Sequence, residues 1–446
     1  MDRCLNSTLA FGEVICTAAF VTLFVMLLGA CASDDGGANK SAIEPFGQQP
    51  RAAANTTDHG TPAPLVTTPS LVTSPALPPI LKIDDAIKFA ASNLFRNTSV
   101  FGTSENPYPL LIDPLIDGNT GARTRATVAM GTSIATLVKN TFPAYKVQTF
   151  NSESLAAKPL LFIGTLTPVD GKGGNTGARE WYRVCLALLD LKTGKIVSKG
   201  FARASPEGVN HSPTAFFDDQ PAWSTDQTTS GYVRTCQGTV AGDPIKPEYL
   251  DRLTSSAIVN DAIAAYENGR FQTALDLYLG LQRGGAADQL RVLNGIYLSY
   301  WRLGRTGEAA KSFGNIVDFG LANKRLAVKF LFQPKTANFI ADRKVTAAYP
   351  LWLYEIRRRT QLGKSCIEVS GHSSLTGTEA QNLKLSALRA EQVRAKLKPS
   401  ATSSAITNFV AVGKGSSEVI SGLGTDDARD ALDRRVEFKP IECKVT

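Results

Sequence analysis

Cys366-Ile367-Glu368-Val369-Ser370-Gly371-His372-Ser373-Ser374 is followed by Asn382-Leu383-Lys384-Leu385-Ser386-Ala387-Leu388-Arg389-Ala390 and, near the C-terminus, by Asp433-Arg434-Arg435-Val436-Glu437-Phe438. The first piece is an apolar run ending on glycine, which reads as a strand entering a turn. The second extends to Leu397 with helical spacing, and the third returns to strand. Working outward, Leu326–Phe332 alternates as a strand, Tyr349–Gln361 is a basic amphipathic helix and Phe409–Gly413 is a further strand. The order βαβαββ over residues 323–446 predicts a sandwich with its helices on one face of the sheet.

In order and spacing the three pieces resemble the OmpA-like peptidoglycan-binding domain, whose pattern runs GHTD, NxxLSxxRA, NRRVE. The resemblance implies recognition of the stem peptide of peptidoglycan, at the free carboxylate and ammonium of its diaminopimelate residue. Arg389 matches the arginine of the second motif, and a planar guanidinium grips a carboxylate through two parallel hydrogen bonds. Asn382 is retained and would orient the loop backbone. Arg435 matches the second arginine of the third motif, in which Asp433 replaces the asparagine. Ser374 stands where the family carries the aspartate that answers the ammonium. A hydroxyl brings no charge, which removes about 2 kcal/mol of attraction in a desolvated site. Glu379, in the intervening loop, is a candidate to supply that charge. The expected peptidoglycan-binding set is therefore Ser374, Asn382, Arg389 and Arg435. Two readings stay open: a protein that links membrane and wall, or an envelope assembly or secretion scaffold whose wall site is weakened or lost.

At the other end, an apolar run from Thr17 to Ala30 closes in Leu28-Gly29-Ala30-Cys31. It is short for a membrane span, and the tetrad resembles a bacterial lipobox. The resemblance implies a signal peptide over residues 1–30, cleavage before Cys31, and lipidation of that cysteine with acylation (palmitate) of the new amino terminus. Two or more acyl chains anchor stably where one is marginal. Ala32 in place of aspartate implies the outer membrane, with the protein facing the periplasm. An uncleaved anchor or an ordinary signal peptide is the alternative, since Glu13 and the single Arg3 make an untidy leader. Residues 31–79 are rich in Pro, Ala, Thr and Ser and cannot bury enough apolar surface to fold, so they read as a disordered tether.

Of the 7 cysteines, Cys4 and Cys16 would leave with the leader and Cys31 would carry lipid. Cys185, Cys236, Cys366 and Cys443 remain, an even set outside the cytosol that suggests two disulfides. Separation along the chain suggests Cys185 with Cys236 and Cys366 with Cys443, although three connectivities are possible. A metal centre is not expected: no CxxC occurs, and the histidines are His59, His211 and His372. The net charge of +8 is dispersed over 446 residues without an aromatic-basic stripe, which argues against nucleic acid. Wall carboxylates or anionic headgroups are the acidic partners such a charge would meet, and solubility alone would also account for it.

Between these ends the chain reads as two further parts of a multidomain α/β plus α protein. Residues 80–246 alternate helical and strand patterns: helix at Ile83–Ala91, strand at Tyr108–Pro114, helix at Ala126–Val138, strands at Pro159–Leu166 and Tyr182–Asp190, then a hairpin through Lys192–Lys195. This α/β domain loosely resembles those of envelope assembly lipoproteins. Residues 247–322 contain a repeat in which Gly269, Ala274 and Tyr278 align with Gly304, Ala309 and Phe313, and they resemble tetratricopeptide repeats. The helical part is either a partner groove or a spacer, and envelope proteins are the partners expected for residues 80–322. Three weaker patterns favour bland readings. Asp113, Asp117 and Asn119 suggest a capped turn over a metal loop; Gly171-Lys172-Gly173-Gly174 lacks the ending of a phosphate cradle; His211, Ser212, Asp218 and Asp219 have no nucleophile elbow. No enzyme and no cofactor are expected.

Overall fold

The computed structural model describes residues 78–443 apart from 101, 225, 287–288, 334, 363–365, 398–408 and 426. The expected leader, the lipobox with Cys31, His59 and nearly all of the tether lie outside the described residues. Among the described residues no helix is long and apolar enough to cross a membrane.

The first region comprises β1 (Ile80–Leu81), α1 (Ile83–Arg96), β2 (Tyr108–Ile112), β3 (Ile116–Asp117), α2 (Arg125–Thr141), β4 (Tyr145–Gln148), α3 (Ser152–Ala156), β5 (Leu160–Val169), β6 (Trp181–Asp190), β7 (Lys195–Ala204), α4 (Ala215–Asp219), β8 (Ala222–Trp223), α5 (Gln227–Gln237) and α6 (Pro247–Leu250). Its sheet runs β1-β7-β6-β5-β2-β4, with β3 also paired to β5. Strand β5 is buried on both faces, which explains its largely apolar sequence. Helix α2 starts at a capping box, where the Thr124 and Thr127 side chains each accept from the other's backbone N–H. Helices α1 and α2 cover one sheet face, and α5 lies on the other, tied to β6 by a Cys185–Cys236 disulfide.

Four helices follow: α7 (Leu253–Glu267), α8 (Phe271–Leu281), α9 (Leu290–Arg302) and α10 (Thr306–Ala322). Gly269 and Gly304 hold φ of 73° and 72° at the turns between α7 and α8 and between α9 and α10, a backbone region that favours glycine. Ala274, Tyr278, Ala309 and Phe313 are buried in the helix contacts.

The last region contains β9 (Leu326–Val328), α11 (Arg343–Thr346), α12 (Tyr349–Leu362), β10 (Cys366–Gly371), α13 (Glu379–Leu397), β11 (Phe409–Gly413) and β12 (Val436–Ile441). Strand β9 stops at Val328, shorter than the expected Leu326–Phe332. Beyond it Phe332 makes only an isolated bridge to Phe339, within an aromatic cluster that includes Phe330 and Tyr349. The sheet order is β11-β10-β12-β9-β8. Cys366 is paired in register with Ile441 and is disulfide-bonded to Cys443.

Boundaries at 246 and 322 do not separate cores. Strand β8, from the first region, pairs with β9 through Ala222↔Val328 and Trp223↔Ala327. Phe216 of α4 packs against Tyr266 and Tyr278, and the Asn294 amide donates to the Ala222 carbonyl at 2.9 Å. Helices α7 to α10 therefore bury Phe216 and Ala222 of the same chain on one side. Leu253 and Ala257 of α7 belong to the core under the first sheet, while Phe313 of α10 stacks on Trp352 of α12. The described residues belong to one compact unit.

Candidate functional site

Helix α13 lies directly against the ends of β10 and β11, because glycines occupy both. A Cβ at Gly371 would sit 2.1 Å from the Ser386 carbonyl oxygen, and one at Gly413 would sit 2.6 Å from that of Leu383. Along α13 the buried residues Asn382, Ser386, Arg389 and Val393 recur at helical spacing and face the strands. Ser386 donates to the Leu383 carbonyl and accepts from the Gly415 N–H at 2.9 Å, which holds the loop after β11 to the helix.

Beside this helix end opens a cleft of about 620 Å³. One wall is Ser373, Ser374, Thr376 and Gly377, after β10; another is Gln381, Asn382, Lys384, Leu385, Leu388 and Arg389 of α13; Phe332, Lys335 and Arg434 complete the lining. The Arg389 side chain is 2% exposed, its Nε donates to the Thr336 carbonyl at 3.1 Å, and its guanidinium lies 5.0 Å from the Phe332 ring centre. The hydroxyls of Ser374 and Thr376 share a hydrogen bond of 2.9 Å, and the Asn382 amide donates to Ser416 at 3.4 Å. Lys335, Lys384, Arg389 and Arg434 bring positive charge to the cleft, and none of the described lining residues is acidic.

Arg435 does not line the cleft. It is 1% exposed, and its Nε donates to Glu437 Oε1 at 2.6 Å. Strand alternation places Arg435 and Glu437 on one face while Val436 and Phe438 point into the core. The neighbouring Arg434 borders the cleft, ion-paired to buried Asp430. Glu379 is exposed in the first turn of α13 and is not part of the lining. Lys384 and Arg434 were within reach of sequence reasoning, as both sit inside the motifs. Lys335 was not, because only the fold brings it to α13.

Beneath the cleft the charges are arranged to hold loops. The Asp433 carboxylate accepts from the backbone N–H groups of Ile420, Ser421 and Gly422 at 2.6, 2.8 and 2.7 Å. Burial pushes this carboxyl up, against the pull of those donors. Burial and the adjacent Arg435 push His372 down to about 3. Burial would raise Glu437, but Arg435 and Arg325 hold it down at about 2. His372, Glu418 and Glu437 could each turn one ligand atom to a common point, yet the two guanidiniums on Glu437 would repel a cation there.

The weaker patterns do not converge into sites. His211 Nε2 is 3.0 Å from Asp117 Oδ2, while Asp219 accepts from Tyr266 and Arg302 and Asp218 pairs with Lys329. Asp117 Oδ1 caps the turn by accepting from Asn119 and Thr120. Asp113 accepts from Tyr249, and burial pushes it up to about 7. The Gly171–Gly174 loop folds onto Asp170, which accepts from Lys172 and Gly174.

With that geometry the family model is unambiguous about where it applies: the OmpA family matches residues 352–432. This segment is an OmpA-family domain. Its match spans α12, β10, the Ser373–Ser374 turn and α13. Solved structures similar to the chain include the peptidoglycan-associated lipoprotein from Burkholderia pseudomallei, 26% identical over 26% of this chain and 89% of that one, TM-score 0.21. The cell wall anchor of the T6SS from Pseudomonas aeruginosa is 24% identical over 27% and 81%, TM-score 0.21. The periplasmic domain of Helicobacter pylori MotB is 17% identical over 27% and 76%, TM-score 0.21. No curated protein matches the chain.

Proposed function

We propose that the protein binds peptidoglycan non-covalently through the cleft of its OmpA-family domain and so links an envelope membrane to the cell wall. The observation that carries this reading is Arg389, held against Phe332 and the Thr336 carbonyl at the base of a cationic cleft. A guanidinium set in place before binding loses little entropy when it grips a carboxylate. In this reading Leu28-Gly29-Ala30-Cys31 directs lipidation of Cys31 and outer-membrane anchoring, residues 31–79 supply reach across the periplasm, and residues 80–322, with their tetratricopeptide-like hairpins, meet envelope proteins. The hairpins already pack against Phe216 and Ala222 of their own chain, so such partners would approach other faces.

The test is co-sedimentation of the full chain with purified sacculi. Retention of wild type, with at least a tenfold loss in Arg389→Ala, is expected if that pair contributes about 1.4 kcal/mol or more. Cys31→Ala should release the protein from the membrane fraction. Equal retention of wild type and Arg389→Ala would remove the assigned role of the cleft. One observation favours the scaffold reading, Ser374 in place of an acid, and absence of retention in wild type would support it.

A further inference from the structure

Between β11 and β12 the chain is bonded to itself around the buried carboxylates of Asp430 and Asp433. Asp433 accepts from the N–H groups of Ile420, Ser421 and Gly422, Asp430 accepts from the Thr425 N–H at 2.9 Å, and the Ser421 hydroxyl donates to the Arg429 carbonyl at 2.8 Å. Arg434 joins the same network, ion-paired to Asp430 and donating to the Asp427 carbonyl at 2.8 Å, and its side chain borders the cleft. A buried network bonded at so many points is rigid. Whatever holds Ser421 and Gly422 therefore also places Arg434.

The hold comes from the first region of the chain. Arg179, just before β6, donates from Nε to the Ser421 carbonyl at 3.2 Å and from Nη1 to the Gly177 carbonyl at 2.9 Å. Its guanidinium lies so near Gly422, where φ is 71°, that a Cβ there would sit 2.6 Å from Nε. The buried Asp433 carboxylate attracts the same guanidinium, and Leu423 packs on the core between the first sheet and α1 and α2. Before Arg179 the glycine-rich stretch folds onto Asp170, which accepts from Lys172 and Gly174. We infer that Arg179 is a positioning residue for wall binding: it clamps the loop that carries Ser421, Gly422 and Asp433 to the first region and so fixes the side of the cleft formed by Arg434. The inference rests on the proposed binding of peptidoglycan at that cleft. The glycine-rich loop between β5 and β6 then serves to brace the clamping guanidinium.

The experiment pairs hydrogen exchange of the full chain with its co-sedimentation on purified sacculi, in wild type, Arg179→Ala and Arg179→Lys. Arg179→Ala should speed exchange at the Ile420, Ser421 and Gly422 amides about tenfold, the factor expected for losing a hydrogen bond from a charged donor. Retention on sacculi should fall with it, while exchange in β10 and α13 stays as in wild type. Arg179→Lys, which keeps a cationic donor, should restore part of both. Unchanged exchange at the three amides in Arg179→Ala would overturn the clamp, and faster exchange with unchanged retention would overturn its link to the cleft. Faster exchange throughout β10 and α13 would mark a general loss of stability and overturn the positioning role. If wild type itself is not retained, the proposed function fails, and exchange at the three amides still upholds or overturns the clamp.

Discussion

At the residue scale, the serine that departs from the family pattern sits among charges that are mostly committed elsewhere. Glu437 is held by Arg435 and Arg325, and Asp433 is held by three backbone N–H groups. His372 is buried with neither ring nitrogen hydrogen-bonded, and burial followed by Arg435 lowers it from 6.5 to about 3. Between those values the unfolded chain takes up a proton that the folded chain refuses, so stability falls as pH falls from 6.5 toward 3. The full effect is on the order of a few kcal/mol. Glu437 adds a loss in the same direction only at lower pH, as its carboxyl falls from 4.5 to about 2. Asp113, raised to about 7, works in the opposite direction as pH falls toward its ordinary range, so the His372 contribution is read as the difference between wild type and a His372→Gln chain in chemical denaturation at a series of pH values. Wild type should lose stability relative to His372→Gln as pH falls from 6.5 toward 3, and a constant difference would contradict this account.

At the element scale, the site depends on how closely α13 approaches the sheet. Asn382 and Arg389 both ride on this helix, and Ser386 fastens it to the loop after β11. Gly371→Ala would place a methyl group against the Ser386 carbonyl, a backbone atom that can yield only if the helix lifts. Overpacking of this kind costs about 1–3 kcal/mol. The expected result is a lower denaturation midpoint together with weaker retention on sacculi, because the same displacement moves Arg389. Unchanged stability in this variant would show that α13 has room to shift.

At the scale of the whole molecule, residues 215–223 join parts that look separate along the chain. Phe216 is buried between Tyr266 and Tyr278, Asp219 accepts from Tyr266 and Arg302, and β8 extends the C-terminal sheet. Phe216→Ala should cost about 3–5 kcal/mol, as expected for a large aromatic lost from a packed core. Because that core runs from α4 through the helical hairpins into β12, these elements should unfold in one cooperative transition, shifted as a whole by the substitution. Separate transitions by fluorescence and circular dichroism would contradict a shared core. A continuous core also makes the full chain, rather than residues 323–446 alone, the object for binding measurements.

Much of the fold and part of the cleft were legible because their determinants are local. Helical spacing located α12 and α13, strand patterns located β5, β6, β10 and β12, and Gly269 and Gly304 marked the turns between helices. Ser374, Asn382 and Arg389 could be named in advance because their motifs resemble those of the OmpA-like family, and all three line the cleft. Sequence by itself thus determined the element types, the repeat spacing, the cysteines available for pairing, and the missing acid at Ser374. Tertiary structure decided that Arg434 rather than Arg435 borders the cleft, since pairing of Val436 with Gly371 sets which face each side chain takes. It also decided that Lys335 reaches α13 and that Ala222–Trp223 becomes an edge strand. These outcomes depend on which distant surfaces bury each other, and local periodicity carries no record of that choice.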